Sequence, residues 1–188
     1  MQSSERLERL TPATLSPEQK AVYDEIVTGP RGGIGGPFEP WLRSPEMASL
    51  AQRLGAFCRY RTTLEPLLSE LAILVIAEHH KAQIEWFAHA PIAIAAGLSP
   101  HDAEIIRQGA KPSFDDPRSG IVYTVVSTIM KTSRLPDDMY RRAHAELGEV
   151  ALVELIGIIG YYNLVAITLN VFQPPIPDGG AKPFPEYS

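Results

Sequence analysis

The 188-residue chain has a single cysteine, Cys58. An intrachain disulfide and a Cys-x-x-Cys redox pair are therefore both excluded. Positive charge is also short: 17 Lys and Arg stand against 22 Asp and Glu, for a net charge of −5. A general nucleic-acid binder needs a basic face, so that partner class is excluded. No stretch alternates apolar and polar residues over the length of a strand. The N-terminal residues MQSSERLERLTPATLSPEQK lack the apolar core of a signal peptide. The most apolar run, Ala151–Phe172, is long enough at 22 residues to cross a bilayer. Glu154, Gly157, Gly160, Tyr161, Tyr162 and Asn163 interrupt it, and such interruptions fit a buried helix or a subunit contact better than lipid. The expectation is a soluble, cytoplasmic protein with no membrane partner.

What the chain does have is proline, 17 in all, placed where helices begin. Ser16-Pro17-Glu18-Gln19 carries a capping oxygen, a proline at the first helical position and a glutamine completing a capping box. Ser44-Pro45-Glu46, Ser99-Pro100-His101-Asp102 and Asp116-Pro117 repeat its first two parts. Glu65-Pro66 and Leu135-Pro136 are weaker versions. Between these starts the apolar residues recur at helical spacing, as in Leu50, Leu54, Phe57 and Ile121, Val125, Ile129. The pattern predicts helices near 17–28, 45–60, 66–80, 82–96, 100–109, 117–133, 137–147 and 149–172. Gly29–Trp41 reads as a loop, equally a flexible connection or a cover for a substrate; it lacks the ending of a phosphate loop. The fold class is all-α, a single domain over residues 1–188 with an N-terminal segment 1–15 and a tail 173–188. Proline and glycine keep that tail from being helical, and its Phe184 and Tyr187 either pack on a neighbouring subunit or move freely.

The chemistry concentrates in Leu67–Leu98, where Glu70, His79, His80, Glu85, Trp86 and His89 are set into apolar helix. Titratable groups in such surroundings are costly to bury, so each lies at the helix surface or in a site. Glu85 and His89, four apart, share a helix face and form either an acid–base pair or an exposed ion pair, the commoner case on spacing alone. Glu70 by itself reads as an exposed first-turn carboxylate favoured by the helix dipole. His79 and His80 fall at a helix end, where histidines commonly meet the last carbonyls. Neither His-Glu-x-x-His nor Glu-x-x-His is present, so no metal site is expected. Pro91 falls inside the helix just after His89, where it removes a backbone hydrogen bond. His101, His144 and Cys58 read as structural or exposed.

Taken together, this stretch resembles the carboxymuconolactone decarboxylase family, which also contains alkylhydroperoxidase-D-like proteins. The resemblance lies in Glu70 followed 19 residues later by His89, then by Pro91-Ile-Ala-Ile-Ala-Ala-Gly97. It extends more diffusely through Gly36-Pro37-Phe38, Ser44-Pro45-Glu46, Val153-Glu154-Leu155 and Tyr161-Tyr162-Asn163. Peroxidase-type members carry Cys-x-x-Cys at positions that are Ala82 and Glu85 here, so thiol–disulfide chemistry is not expected.

The resemblance implies an alkylhydroperoxidase-D-like bundle of seven or eight helices and a cofactor-free carbon–carbon lyase. Its reaction is loss of CO₂ from a small carboxylated lactone in aromatic-compound catabolism. His89 is then the proton donor or oxyanion partner, Glu85 orients it, and Glu70 is a second proton carrier. The implied substrate-binding set is Phe38, Trp41, Arg43, His80 and Trp86, with Arg53, Arg59 and Arg61 as further cations for an anionic substrate. Other readings on the same residues are an isomerase, hydrolase or dehydratase of a lactone or keto acid, or a non-catalytic assembly protein. The resemblance also implies a homo-oligomer, trimeric or hexameric.

Overall fold

The computed structural model describes residues 6–186, and among them every regular element is helical. Proline and a capping side chain open the helices where the sequence places them. In α1 (Pro17–Thr28), Gln19 N–H donates to Ser16 Oγ and Ser16 N–H donates to Gln19 Oε1, a complete capping box. Ser99 caps α6 (Pro100–Arg107), and Asp116 accepts from two backbone N–H groups of α7 (Pro117–Thr132). Ser44 and Glu65 make no such bond, so α3 (Pro45–Tyr60) and α4 (Pro66–His80) begin on proline alone. Left-handed Lys81 precedes α5 (Gln83–Ala95), and Gly148, at φ 80°, separates α8 (Asp137–Leu147) from α9 (Glu149–Phe172).

The segment read as a loop contains one further helix, the single turn α2 (Phe38–Trp41). Its Phe38, Pro40 and Trp41 are buried, so burial of two aromatic rings wins over the weak local helix signal. The N-terminal segment has no helix from residue 6 to Ser16; Met1–Glu5 of that expectation, and Tyr187, lie outside the described residues.

α4 is the centre of the molecule. Every residue from Leu68 to Ala77 is buried, as a helix apolar on all sides requires. It packs against α5, α6, α7 and α9. The turn at Lys81-Ala82 is tight, with Ala82 N–H donating to Ala77 O at 2.8 Å. So short a connection makes α4 and α5 antiparallel neighbours. α9 is the second central helix, with 24 residues and a mean hydropathy of 2.0 over its most apolar stretch. By length and composition it could cross a membrane, but half of that stretch is buried inside the bundle, against α3, α4, α5 and α8. α3 packs on α9 as well as on α1 and α2, and at Gly55 the absence of a side chain lets Tyr161 of α9 come up against the helix.

After α9 the tail turns back over its own chain. Phe184 is buried edge-on against Trp86, with ring centroids 5.4 Å apart. Gln83 donates to Phe184 O and accepts from Phe184 N–H, and Arg107 donates to Pro183 O. Within the chain, Phe184 is thus neither free nor waiting for a neighbouring subunit.

Candidate active site

The α4–α5 hairpin brings Glu70, in the second turn of α4, against His89 of α5. His89 Nδ1 donates to Glu70 Oε2 at 2.7 Å, and both side chains are buried. The first-turn reading of Glu70 as an exposed residue is therefore corrected: α4 has no solvent face at that position. The bond also assigns the partners differently from the sequence. Glu85 was expected to orient His89, but Glu70 holds the imidazole, and neither Glu85 oxygen has a hydrogen-bond partner among the described residues. With Nδ1 committed to Glu70, Nε2 is the ring nitrogen left to act on another molecule.

Glu85 is 2% exposed, so the exposed ion pair with His89 does not exist. Burial, and secondarily the charge of Glu70, raise its carboxyl pKa well above the usual carboxylate range. A lone carboxylate is costly in an apolar setting, which favours the neutral acid. The cluster thus sets a carboxyl that tends to keep its proton beside an imidazole aligned by a second carboxyl.

α9 supplies the adjoining wall. Tyr162 stands edge-to-face on His89 at 5.2 Å, and Tyr161 on Tyr162 at 5.3 Å. Burial raises the Tyr162 hydroxyl well above its usual value, and pushes that of Tyr161 up to about 12. Trp41 extends this aromatic row: it meets Tyr161 at 6.2 Å and Phe38 at 5.4 Å, and its indole N–H donates to Thr168 Oγ1 at 3.0 Å. Trp86, one turn before His89 on α5, is buried under Phe184. Phe38, Trp41 and Trp86 are therefore buried, the first two in the aromatic row that reaches His89 through Tyr161 and Tyr162, while two other positions of the implied substrate-binding set lie apart from it.

Arg43 is exposed and donates to the backbone carbonyls of Glu39 and Glu8. It follows Trp41 by two residues, so the one-turn α2 aims it outward. His80 lies ten residues along α4 from Glu70, about 15 Å at 1.5 Å per residue. Its ring is bonded to Asn163 Oδ1 at 2.6 Å and its carbonyl accepts from Asn170. It ties α4 to α9. Of the other arginines, Arg53 pairs with Glu25 at the surface and Arg61 lies over Phe57. Arg59 reaches far enough inward for its charge to act on Tyr162.

The sequence missed Arg31. Its guanidinium stacks on the Phe38 ring at 4.7 Å, and its Nε and Nη2 are buried without a hydrogen-bond partner among the described residues. Its charge acts on the Tyr161 hydroxyl. Both groups crowd onto Gly55 of α3, where a Cβ would collide with Tyr161 Oη and lie 2.7 Å from Arg31 Nη2. The available signal was an arginine inside a glycine-rich segment just before two aromatic residues.

Cys58 is buried, and burial pushes its thiol up to about 11, the behaviour of a small apolar residue rather than a nucleophile. Among the described residues no three His, Cys, Asp or Glu side chains converge as a metal site would require. Two small cavities, of about 20 and 40 Å³, lie elsewhere, and none of Glu70, Glu85 and His89 lines either. The cluster is closed within the single chain, so a substrate reaches it only if a covering segment shifts.

No known protein family's sequence profile matches the chain, and no curated protein matches it. Its fold is similar to that of a solved structure, an uncharacterized peroxidase-related protein from Silicibacter sp. TM1040, with a TM-score of 0.72. The match covers 92% of this chain and 91% of that one, at 11% sequence identity. At that identity the likeness extends to the helical fold alone.

Proposed function

We propose that the chain is a cofactor-free enzyme that decarboxylates a small carboxylated lactone, or a related intermediate of aromatic-compound catabolism, by Glu/His acid–base chemistry. The observation that carries this reading is the buried Glu70–His89 bond beside Glu85, a buried acid with no partner. Loss of CO₂ breaks a carbon–carbon bond and leaves its electron pair on the substrate, delocalised onto the lactone carbonyl oxygen. That oxygen needs a positioned donor, and the carbon then needs a proton. His89, aligned by Glu70, presents Nε2 to the oxyanion. Glu85, held as a neutral acid, supplies the proton to carbon and is restored from solvent. The buried aromatic side chains exclude water from the carbanion-like intermediate.

The pairing of a neutral acid with an imidazole also suits a second reaction, proton transfer between two carbons of a lactone or keto acid without CO₂ loss. Peroxidase chemistry gains no support, because Ala82 and Glu85 stand where a thiol pair would be and the only thiol is buried. We read the enzyme as soluble and cytoplasmic, and as a trimer or hexamer. Support for assembly comes from the exposed face of α9, where Val150, Val153, Leu164, Ile167 and Val171 lie outside the single chain's core.

The test is turnover on a panel of carboxylated lactones and keto acids, followed by ultraviolet loss and CO₂ release. Native protein is expected to release CO₂, and His89→Ala to lose on the order of 10² or more in rate, as removal of an acid–base group does. Full turnover by His89→Ala would refute the assignment. Turnover without CO₂ would select the isomerase reading.

A further inference from the structure

We infer that Arg31 is the substrate's carboxylate anchor, taking one carboxylate side-on through its Nε–H and Nη2–H. This rests on the decarboxylase reading and names the cation that reading requires. Nε–H and Nη2–H lie along one edge of the guanidinium plane, the edge that matches the two oxygens of a carboxylate. In this chain both nitrogens are buried and neither makes a hydrogen bond of full geometry among the described residues, the Tyr161 hydroxyl lying beside the guanidinium over Gly55. A buried donor without a partner is costly, and an arginine stays charged, so the edge gains most from an anion. The guanidinium is already oriented for one: its face is fixed on Phe38 at 4.7 Å, and Gly55 leaves room beside it for the Tyr161 hydroxyl.

The placement also suits the chemistry. Tyr161 lies beside the Arg31 guanidinium at Gly55 and packs on Tyr162, which packs on His89, so two tyrosine rings join the cation to the Glu70–His89 pair. A small molecule held by its carboxylate at Arg31 extends along Tyr161 and Tyr162 toward His89. Ion pairing stabilises that carboxylate, so it remains through the reaction and is not the group lost as CO₂. One guanidinium between aromatic rings suits a singly charged planar carboxylate better than a phosphate dianion. Arg31 rides on the segment between Gly29 and Pro37, in which Gly32 and Gly36 adopt φ of 68° and 59°. Glycine takes these left-handed angles without steric cost, which lets the short segment turn Arg31 inward onto Phe38.

The probe is benzoate, titrated into the full chain and followed by calorimetry, with methyl benzoate and inorganic phosphate as the other arms. Native protein is expected to bind benzoate saturably, and methyl benzoate and phosphate at least about tenfold more weakly, for loss of a charge-assisted bidentate pair. Arg31→Gln should lose about tenfold or more for benzoate, and Arg31→Lys, which keeps the charge without the fork, should fall between. Benzoate binding is read without turnover, which separates this inference from the proposed reaction. Unchanged benzoate affinity in Arg31→Gln would overturn the anchor, and so would equal binding of the ester, tighter binding of phosphate or no binding at all. If Arg31→Gln does not fold, the Arg31 Nε–H proton resonance of native protein decides: it should move on benzoate addition, and a stationary signal refutes the proposal.

Discussion

At the residue scale, Glu85 should write its burial into the pH dependence of stability. Its pKa is raised on folding, by desolvation first and the Glu70 charge second. The native chain therefore holds a proton that the unfolded chain releases once pH passes about 4.3, the ordinary glutamate value. Stability contributed at this position falls as pH rises above that point, until the folded carboxyl itself ionises. Glu85→Gln should remove this slope and melt higher than the native chain at about pH 8, with little difference near pH 4. Parallel melting curves of the two proteins across that range would contradict the burial of a lone acid. Gly55 gives a steric counterpart. Gly55→Ala places a methyl where Tyr161 Oη stands, and overpacking of that kind costs about 1–3 kcal/mol. For a chain of this size each kcal/mol lowers Tm by about 2–4 °C, so an unchanged Tm would mean that the hydroxyl does not sit over α3.

At the scale of elements, the tail acts as a strap on α5. Phe184→Ala removes a buried ring from Trp86 and should cost about 3 kcal/mol, the lower end for such truncations. It should also shift Trp86 emission to the red as water reaches the indole; unaltered emission with unaltered stability would show that the strap does not hold. The helices themselves were legible because proline, capping residues and 3.6-residue periodicity are local signals, and eight predicted spans coincide with α1 and α3–α9 to within a few residues. α2 was not, since its one turn follows from where Phe38 and Trp41 are buried. Within the site, the pairing of Glu70 with His89 at a spacing of 19 was legible only through the family resemblance, since by itself Glu70 reads as an exposed first-turn carboxylate. The hydrogen bond was not: i,i+4 geometry pointed to Glu85, and only the packing of α4 on α5 selects Glu70. Arg31 was marked locally only by its glycine-rich setting, because Gly55 and Tyr161 meet it only in the folded chain. The polar interruptions of α9 likewise gain their purpose from other elements. Glu154 accepts from Thr63, Tyr161 and Tyr162 wall the cluster, and Asn163 holds His80.

For the whole molecule, the outer face of α9 is the surface on which the proposed assembly rests. Val150, Val153, Gly157, Gly160, Leu164, Ile167 and Val171 alternate at three and four residues, the spacing of a helix–helix seam. A Cβ at Gly157 or Gly160 would meet nothing within 4 Å of its own chain, which leaves room for the close approach of another helix. α3 adds exposed Met47, Leu50 and Leu54. A second copy of the chain is the expected cover. Sedimentation velocity at micromolar concentration should give a multiple of the 20.6 kDa chain mass, and Leu164→Glu should shift the protein toward that mass. A native protein that sediments as a single chain would remove the assembly.

The hairpin that joins Glu70 to His89 has a consequence for how such a protein is made. Its two hydrogen-bonded partners lie 19 residues apart across one tight turn, so they meet through a local contact, with little loop-closure entropy to overcome. Arg31 and Tyr161 come together across most of the chain. During folding the proton-handling pair is free to form early, in a unit complete within α4 and α5, while the anchor waits for the last helix.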